Sequence, residues 1–202
     1  MRIGFDIDGV LVDYAASIEN FLKRKYNLSY KDLGVEYLDI EDPHSCLSVI
    51  PNDMIVAIHN YKNSREFDET CVLRQAMIDI VKQLSDEGHR LYLVTNRNKE
   101  ETTVTLKMLG PFLQYFRRAA FFDPAARDYF KIQRCVALRL DVYIDDQIRN
   151  AEHVADTGIK CIWFVEEPWL RNSTGAMASK VIPARVTNLI SVLRSFDETN
   201  RC

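Results

Sequence analysis

The chain has 202 residues, 47% hydrophobic and 27% charged, enough for one sizeable core or a core plus a small insert. A net charge of −3 argues against general affinity for nucleic-acid polymers but leaves room for a small anionic substrate held beside a metal. Five cysteines (46, 71, 135, 161, 202) and four histidines (44, 59, 89, 153) lack the spacings of structural zinc or a disulfide framework, so reduced thiols in a cytoplasm are expected.

The first element is an apolar run, read as a strand over Ile3–Ile7, which carries Asp6, skips one residue to Asp8 and breaks at Gly9. A buried strand does not end in two carboxylates for packing reasons. Buried carboxylates are costly unless something cationic meets them, so a metal is expected, with one carboxylate free to attack an electrophile. Acidic residues interrupt this run at once, which does not fit a secretion signal, and no apolar stretch is long enough to span a bilayer.

Residues 14–72 follow as a small, mostly helical insert: a helix over Ser17–Tyr26, an irregular Asn27–Asp53 and a helix over Met54–Tyr61. Phe21, Tyr26, Tyr30, Tyr37, Tyr61 and Phe67 would give it a small core of its own. Asp13 is expected to cap the next segment or face solvent, and Lys23-Arg24-Lys25 to be a solvated helix face.

From there, strands over Leu91–Thr95, Ala119–Phe122, Val142–Asp145 and Cys161–Val165 alternate with helices over Ala76–Glu87, Glu101–Leu109, Tyr129–Leu138 and Asn150–Asp156. A last helix, Val186–Arg194, follows Pro183. Phe116, Phe121 and Phe122 are expected in the core. This alternation predicts an α/β fold, a parallel sheet with helices on both faces, built from residues 1–13 and 73–202. Ligands of such sheets sit at the carboxyl ends of the strands, where Asp6, Thr95 and Asp145 would converge.

Four separated segments therefore point to one site: Asp6-x-Asp8-Gly9-Val10; Leu93-Val94-Thr95-Asn96-Arg97; Lys131 at the start of an amphipathic helix; and Val142-Tyr143-Ile144-Asp145-Asp146. Lys131 stands fourteen residues before Asp145, a helix-plus-strand spacing. Arg97 would touch substrate or form a surface salt bridge.

In these four motifs, in this order over roughly residues 2–165, the chain resembles the haloacid dehalogenase-like superfamily of hydrolases. The resemblance implies a three-layer Rossmann-like core with the insert as a small cap. It implies that Asp6 is the nucleophile, forming an aspartyl-phosphate, and that Asp8 protonates the leaving alkoxide and then deprotonates the attacking water. Thr95, with the backbone N–H of Asn96, would bind phosphoryl oxygens, and Lys131 would offset charge on nucleophile and phosphate. Mg²⁺ would be held by Asp6, the Asp8 carbonyl and the Asp145/Asp146 pair; Asp146 is favoured as the direct ligand, with Asp145 orienting or sharing. Asp8 implies a phosphatase or phosphomutase, since dehalogenases, phosphonatases and transport ATPases of the superfamily lack an aspartate there.

More narrowly, Asp6–Asp13, the Gly88-His89-Arg90 stretch before the second motif, Ile144-Asp145-Asp146 and the Tyr37-Leu38-Asp39 region resemble the cytosolic-type 5′-nucleotidases and 5′(3′)-deoxyribonucleotidases. Pro168-Trp169-Leu170-Arg171-Asn172 is a loose match to the Pro-Tyr-Asn-Arg stretch of those relatives. The expected substrate is a small phosphorylated metabolite, with a nucleoside 5′-monophosphate as the leading candidate. A sugar phosphomutase, a phosphatase of another metabolite and a non-catalytic binding module are the alternatives. Neither a nucleic-acid polymer nor a membrane is expected as partner, and a homo-oligomer is left open.

Overall fold

The computed structural model describes residues 1–38, 49–62, 64–98, 102–122, 129–166 and 180–199. Its centre is a six-stranded sheet in which every pairing is parallel. In chain order the strands are β1 (Arg2–Phe5), β4 (Arg90–Asn98), β5 (Phe116–Phe122), β6 (Val142–Asp145), β7 (Lys160–Phe164) and β8 (Val181–Ala184), and across the sheet they run β5-β4-β1-β6-β7-β8. A two-residue antiparallel ribbon pairs β2 (Val12–Asp13) with β3 (Val72–Leu73).

The α/β expectation agrees with this architecture. Side chains alternate along each strand and so divide two apolar layers. On one face, Ile3 and Phe5, Leu91 and Leu93, Val142 and Ile144, and Ile162 and Phe164 pack against α4 (Gln75–Asp86) and α8 (Leu189–Thr199). On the other, Tyr92, Val94, Tyr143, Cys161 and Trp163 pack against α6 (Phe130–Ala137) and α7 (Ile148–Ala155). Strands buried on both faces are why these segments read as continuous apolar runs. Chain order reverses across β1, which has β4 on one side and β6 on the other, so the crevice at the carboxyl end of β1 is the expected ligand position.

Between β2 and β3 lie α1 (Tyr14–Tyr26), α2 (Asn52–Lys62) and α3 (Arg65–Thr70). Asp13 caps α1, its carboxylate accepting from the Ala16 N–H at 3.0 Å. Phe21 stacks on Tyr61 at 4.3 Å, and Tyr14 stacks on Phe67 at 5.4 Å. These aromatics join the same apolar cluster as β1 and α4 rather than a separate one.

Several element bounds differ from expectation. β1 stops at Phe5 and β5 begins at Phe116; Phe116, Phe121 and Phe122 are half-buried because β5 is the sheet's edge. α7 starts at Ile148, two residues early, and the last helix starts at Leu189. α3 and β8 were not anticipated. Asp39, Glu101 and the Pro168–Asn172 stretch lie outside the described residues. Among the described residues, no helix is long and apolar enough to cross a membrane.

Candidate active site

Asp6 follows the last residue of β1, and its N–H donates to the Ile144 carbonyl of β6 at 2.9 Å, which fixes the strand exit. The chain then turns at Gly9, with φ of +71°. A Cβ there would collide with the Asp146 carboxylate, so the turn needs glycine both for its left-handed conformation and for its approach to Asp146. Asp145 ends β6 and is fully buried. Lys131 lies in the first turn of α6, the helix packed on this face.

These elements bring Asp6, Asp145 and Asp146 together, with one oxygen of each within 4.8 Å of the others. The Lys131 ammonium bridges two of them, at 2.7 Å from Asp6 Oδ2 and 2.6 Å from Asp145 Oδ2. The three carboxylates are not equivalent. Asp145 Oδ2 also accepts from the Tyr143 hydroxyl at 2.7 Å, and Asp145 Oδ1 accepts from the Gln147 N–H at 2.9 Å and Asn150 Nδ2 at 3.2 Å. Its lone pairs are therefore taken up by the protein. Asp6 Oδ1 accepts from the Ile7 N–H at 2.8 Å. The Asp146 carboxylate receives no hydrogen bond from a described residue.

The electrostatics follow from burial and crowding. Burial pushes the Asp6 carboxyl up to about 7, with Lys131 opposing and Asp145 and Asp8 adding to the rise. Burial, then Asp145 and Asp6, push Asp146 well above the usual carboxylate range. Burial pulls Lys131 down, but Asp145 and Asp6 outweigh it and hold the ammonium firmly protonated. With all three carboxylates ionised against one ammonium, the cluster carries an excess of two negative charges. Oxygen donors alone, with that excess, fit a hard divalent cation.

Asp8 is held differently. Arg97 grips it in a fork, Nη2 to Oδ1 at 2.7 Å and Nε to Oδ2 at 3.0 Å. Arg97 Nη1 reaches Asp68 on α3 at 2.6 Å. Arg97 is buried, so the salt bridge it forms is an interior one and not the surface one expected. Thr95 and Arg97 lie two apart on β4, and residues 95–97 are where pairing to β5 lapses, between the Val94↔Ala120 and Asn98↔Phe122 pairs. Thr95 is fully buried and its Oγ1 accepts from the Arg97 N–H at 3.2 Å.

A cavity of about 190 Å³ opens over Asp6, Asp8, Lys131 and Asp146, with Asn96 exposed at its wall. Thr95 and Asp145 do not line it; they sit behind it. Among the described residues its remaining wall is Tyr14, Lys62 and Gln147, which the sequence reading did not single out. Tyr14 and Lys62 come from α1 and α2, with the Lys62 ammonium 5.0 Å over the Tyr14 ring. Nothing in their local sequence marks them; only the packing of α1–α3 onto the strand ends does.

No family model matches the chain. A curated relative, "Putative nucleotidase OB0422" of Oceanobacillus iheyensis, is 24% identical over 174 residues, covering 80% of this chain and 85% of its own. A haloacid dehalogenase-like family hydrolase of Xanthomonas campestris superposes with a TM-score of 0.59 at 14% identity, over 98% of this chain and 96% of the other. The structure described as a "putative beta-phosphoglucomutase" of Thermotoga maritima gives 0.57 at 18%, over 96% and 98%. A HAD family hydrolase of Deinococcus radiodurans, solved with phosphate and sodium bound, gives 0.58 at 13%, over 97% and 96%. With its order of parallel strands and its acidic cluster at their carboxyl ends, the chain has the fold of the haloacid dehalogenase-like hydrolases.

Proposed function

We propose that the chain is a Mg²⁺-dependent phosphomonoester hydrolase that works through an aspartyl-phosphate on Asp6. The observation that carries this reading is the division of labour among the carboxylates. Asp145 is saturated by protein donors, Asp6 keeps one oxygen on Lys131, and Asp146 is left without a donor. That pattern suits Asp145 as the residue that orients Lys131, and Asp6 and Asp146 as ligands of a cation. When bound, Mg²⁺ would offset the repulsion between an anionic carboxylate and an anionic phosphoryl group.

The chain's own groups supply the rest. Asp6 attacks phosphorus, and the P–O bond to the leaving group breaks. Asp8, held by Arg97 on the cavity wall, must carry a proton when the P–O bond breaks; it gives that proton to the departing oxygen and then, as the carboxylate, takes one from the water that opens the acyl phosphate. The Lys131 ammonium and the Asn96 backbone N–H stabilise phosphoryl oxygens. Thr95, buried behind the cavity with its Oγ1 accepting from the Arg97 N–H, holds the strand end that presents Asn96, and its hydroxyl is proposed to donate to the phosphoryl group.

A cavity of about 190 Å³ takes a phosphoryl group and the first atoms of a leaving group. The substrate is small and soluble, with a nucleoside 5′-monophosphate, whose leaving group is the nucleoside, favoured by the nucleotidase-named relative. A nucleoside would extend past Tyr14 and Lys62, which makes α1–α3 the cap that selects it. The proposed setting is the cytoplasm, with a phosphorylated metabolite as partner. A sugar phosphomutase is the second reading, favoured by the name given to the Thermotoga maritima neighbour.

The test is phosphate release from nucleoside monophosphates, sugar phosphates and p-nitrophenyl phosphate, with Mg²⁺ and with EDTA, beside Asp6→Asn. Mg²⁺-dependent release that vanishes in Asp6→Asn is expected. Transfer between sugar phosphates without net release would favour the mutase instead.

A further inference from the structure

At the opposite end of the sheet from Asp6 lies a second cavity, of about 480 Å³. Arg2, Arg90, Arg117 and Arg118 surround it, with Tyr92 at its base. These residues come from the amino ends of β1, β4 and β5, and sheet register explains their convergence. Arg2 and Arg90 are direct cross-strand partners, as are Tyr92 and Arg118. Between the Leu91↔Phe116 and Tyr92↔Arg118 pairs the β5 strand carries one extra residue, Arg117. A bulge of this kind re-aims a side chain, and here it brings Arg117 to the same cavity as its neighbour Arg118.

The bland account is that arginines blunt an exposed sheet edge or complement the carboxyl terminus of α6. The second part explains Arg2, whose Nε donates to the Leu138 carbonyl at 2.8 Å and whose guanidinium lies 5.0 Å over the Tyr92 ring. It does not explain the other three. Like charges directly opposite one another on a sheet are unfavourable. Among the described residues no carboxylate pairs with any of the four guanidiniums; Asp141, beside Arg2, is turned to the Arg2 backbone N–H at 2.6 Å. Arg90, Arg117 and Arg118 thus share one concavity with Arg2 and have no carboxylate partner among the described residues, on a chain of net charge −3.

We infer that this cavity is a second, non-catalytic binding site for a small ligand that carries a polyphosphate chain. Guanidinium forks match phosphate oxygens in pairs, and several converging forks suit several linked phosphates. The volume is that of a small-molecule site rather than of one phosphate ion. The Tyr92 ring is buried beneath Arg2, so the cavity offers the phosphates more than it offers a base. The site stands apart from the reaction: α6 separates the two, with Lys131 in its first turn and Ala137 at its last residue, about 9 Å along the axis.

Calorimetric titration of the full chain with inorganic tripolyphosphate in EDTA tests this. Without metal, the catalytic end presents mainly carboxylates, so binding there is weak. One saturable site is expected, at least tenfold tighter for tripolyphosphate than for inorganic phosphate and weakened by salt. Arg117→Gln with Arg118→Gln, both on exposed residues, lowers the affinity at least tenfold, as does Arg90→Gln on a different strand. Lys131→Met leaves the affinity unchanged, and the arginine variants leave phosphate release unchanged. A nucleoside triphosphate arm identifies the source: equal affinity means that the phosphate chain alone is read, and tighter binding means a nucleotide. Absence of saturable binding, or binding that survives both sets of arginine substitutions, overturns the inference.

Discussion

Arg97 holds Asp8 by two parallel hydrogen bonds, of 2.7 and 3.0 Å, while its third nitrogen reaches Asp68 on α3 at 2.6 Å. One guanidinium thereby fixes the carboxylate proposed as acid and base, and ties it to the helical segment that covers the site. A forked donor does this where a flexible ammonium would not, because its geometry sets both oxygens at once.

Arg97→Ala should strand the Asp8 and Asp68 carboxylates against a buried gap. Removing one member of a buried charge network costs about 3–5 kcal/mol, and urea denaturation should show a loss in that range. Arg97→Lys should recover part of the stability but not the turnover, since it restores charge without the fork. Equal turnover in the lysine variant and the parent would mean that the fork does not position Asp8.

Gly9→Ala should damage cation binding more than the fold alone would suggest. The new methyl group meets the Asp146 carboxylate and the backbone must leave the left-handed region. Titration with Mn²⁺ as a spectroscopic probe should show at least a tenfold loss of affinity. Unchanged affinity would separate Asp146 from the cation.

The buried carboxyls make a pH prediction for metal-free protein. Asp6 has its value raised from 3.8 to about 7, so between those limits the folded chain holds a proton that the unfolded chain has released. Stability therefore falls as pH rises from about 4 to about 7, and Asp146 acts in the same direction. Thermal melts in EDTA should show this decline, and Asp6→Asn should flatten it. Mg²⁺ should raise the melting temperature more at pH 8 than at pH 5, because it competes with the proton for the same oxygens.

Much of this was legible in the chain because each motif is an apolar run that stops in polar residues. Val142–Asp145 and Leu91–Thr95 are buried on both faces, so their hydrophobicity is unbroken and their ends are sharp. β8 was hidden by its brevity and by Pro183, which removes a donor and reads as a strand breaker. α3 was hidden by its charge: within Arg65–Thr70 only Phe67 is buried. A salt bridge at Arg97 could be anticipated but its partners could not, since Asp8, Asp68 and Arg97 meet only once three elements have packed. The period-two spacing of Thr95 and Arg97 was the one hint. The bulge at Arg117 has no local signature either, and it is what turns two adjacent arginines to one cavity.

Asp8→Asn should distinguish substrates by leaving group. An alkoxide needs a proton, so hydrolysis of an alkyl phosphate ester should slow by about 10²–10⁴-fold. A nitrophenolate leaves without one, so the first step on p-nitrophenyl phosphate should be nearly intact. A burst of nitrophenolate followed by slow turnover is expected, since the same residue then fails to activate water. A uniform loss on both substrates would assign Asp8 a positioning role only.

That variant also makes the most direct test of the central claim. Asp8→Asn, mixed with p-nitrophenyl phosphate and Mg²⁺ and quenched in acid, should carry one added phosphoryl group by intact mass, and peptide mapping should place it on Asp6. The adduct should be absent in EDTA and in the Asp6→Asn, Asp8→Asn double variant. Turnover without any phosphoryl adduct, or an adduct on another residue, would contradict an aspartyl-phosphate on Asp6.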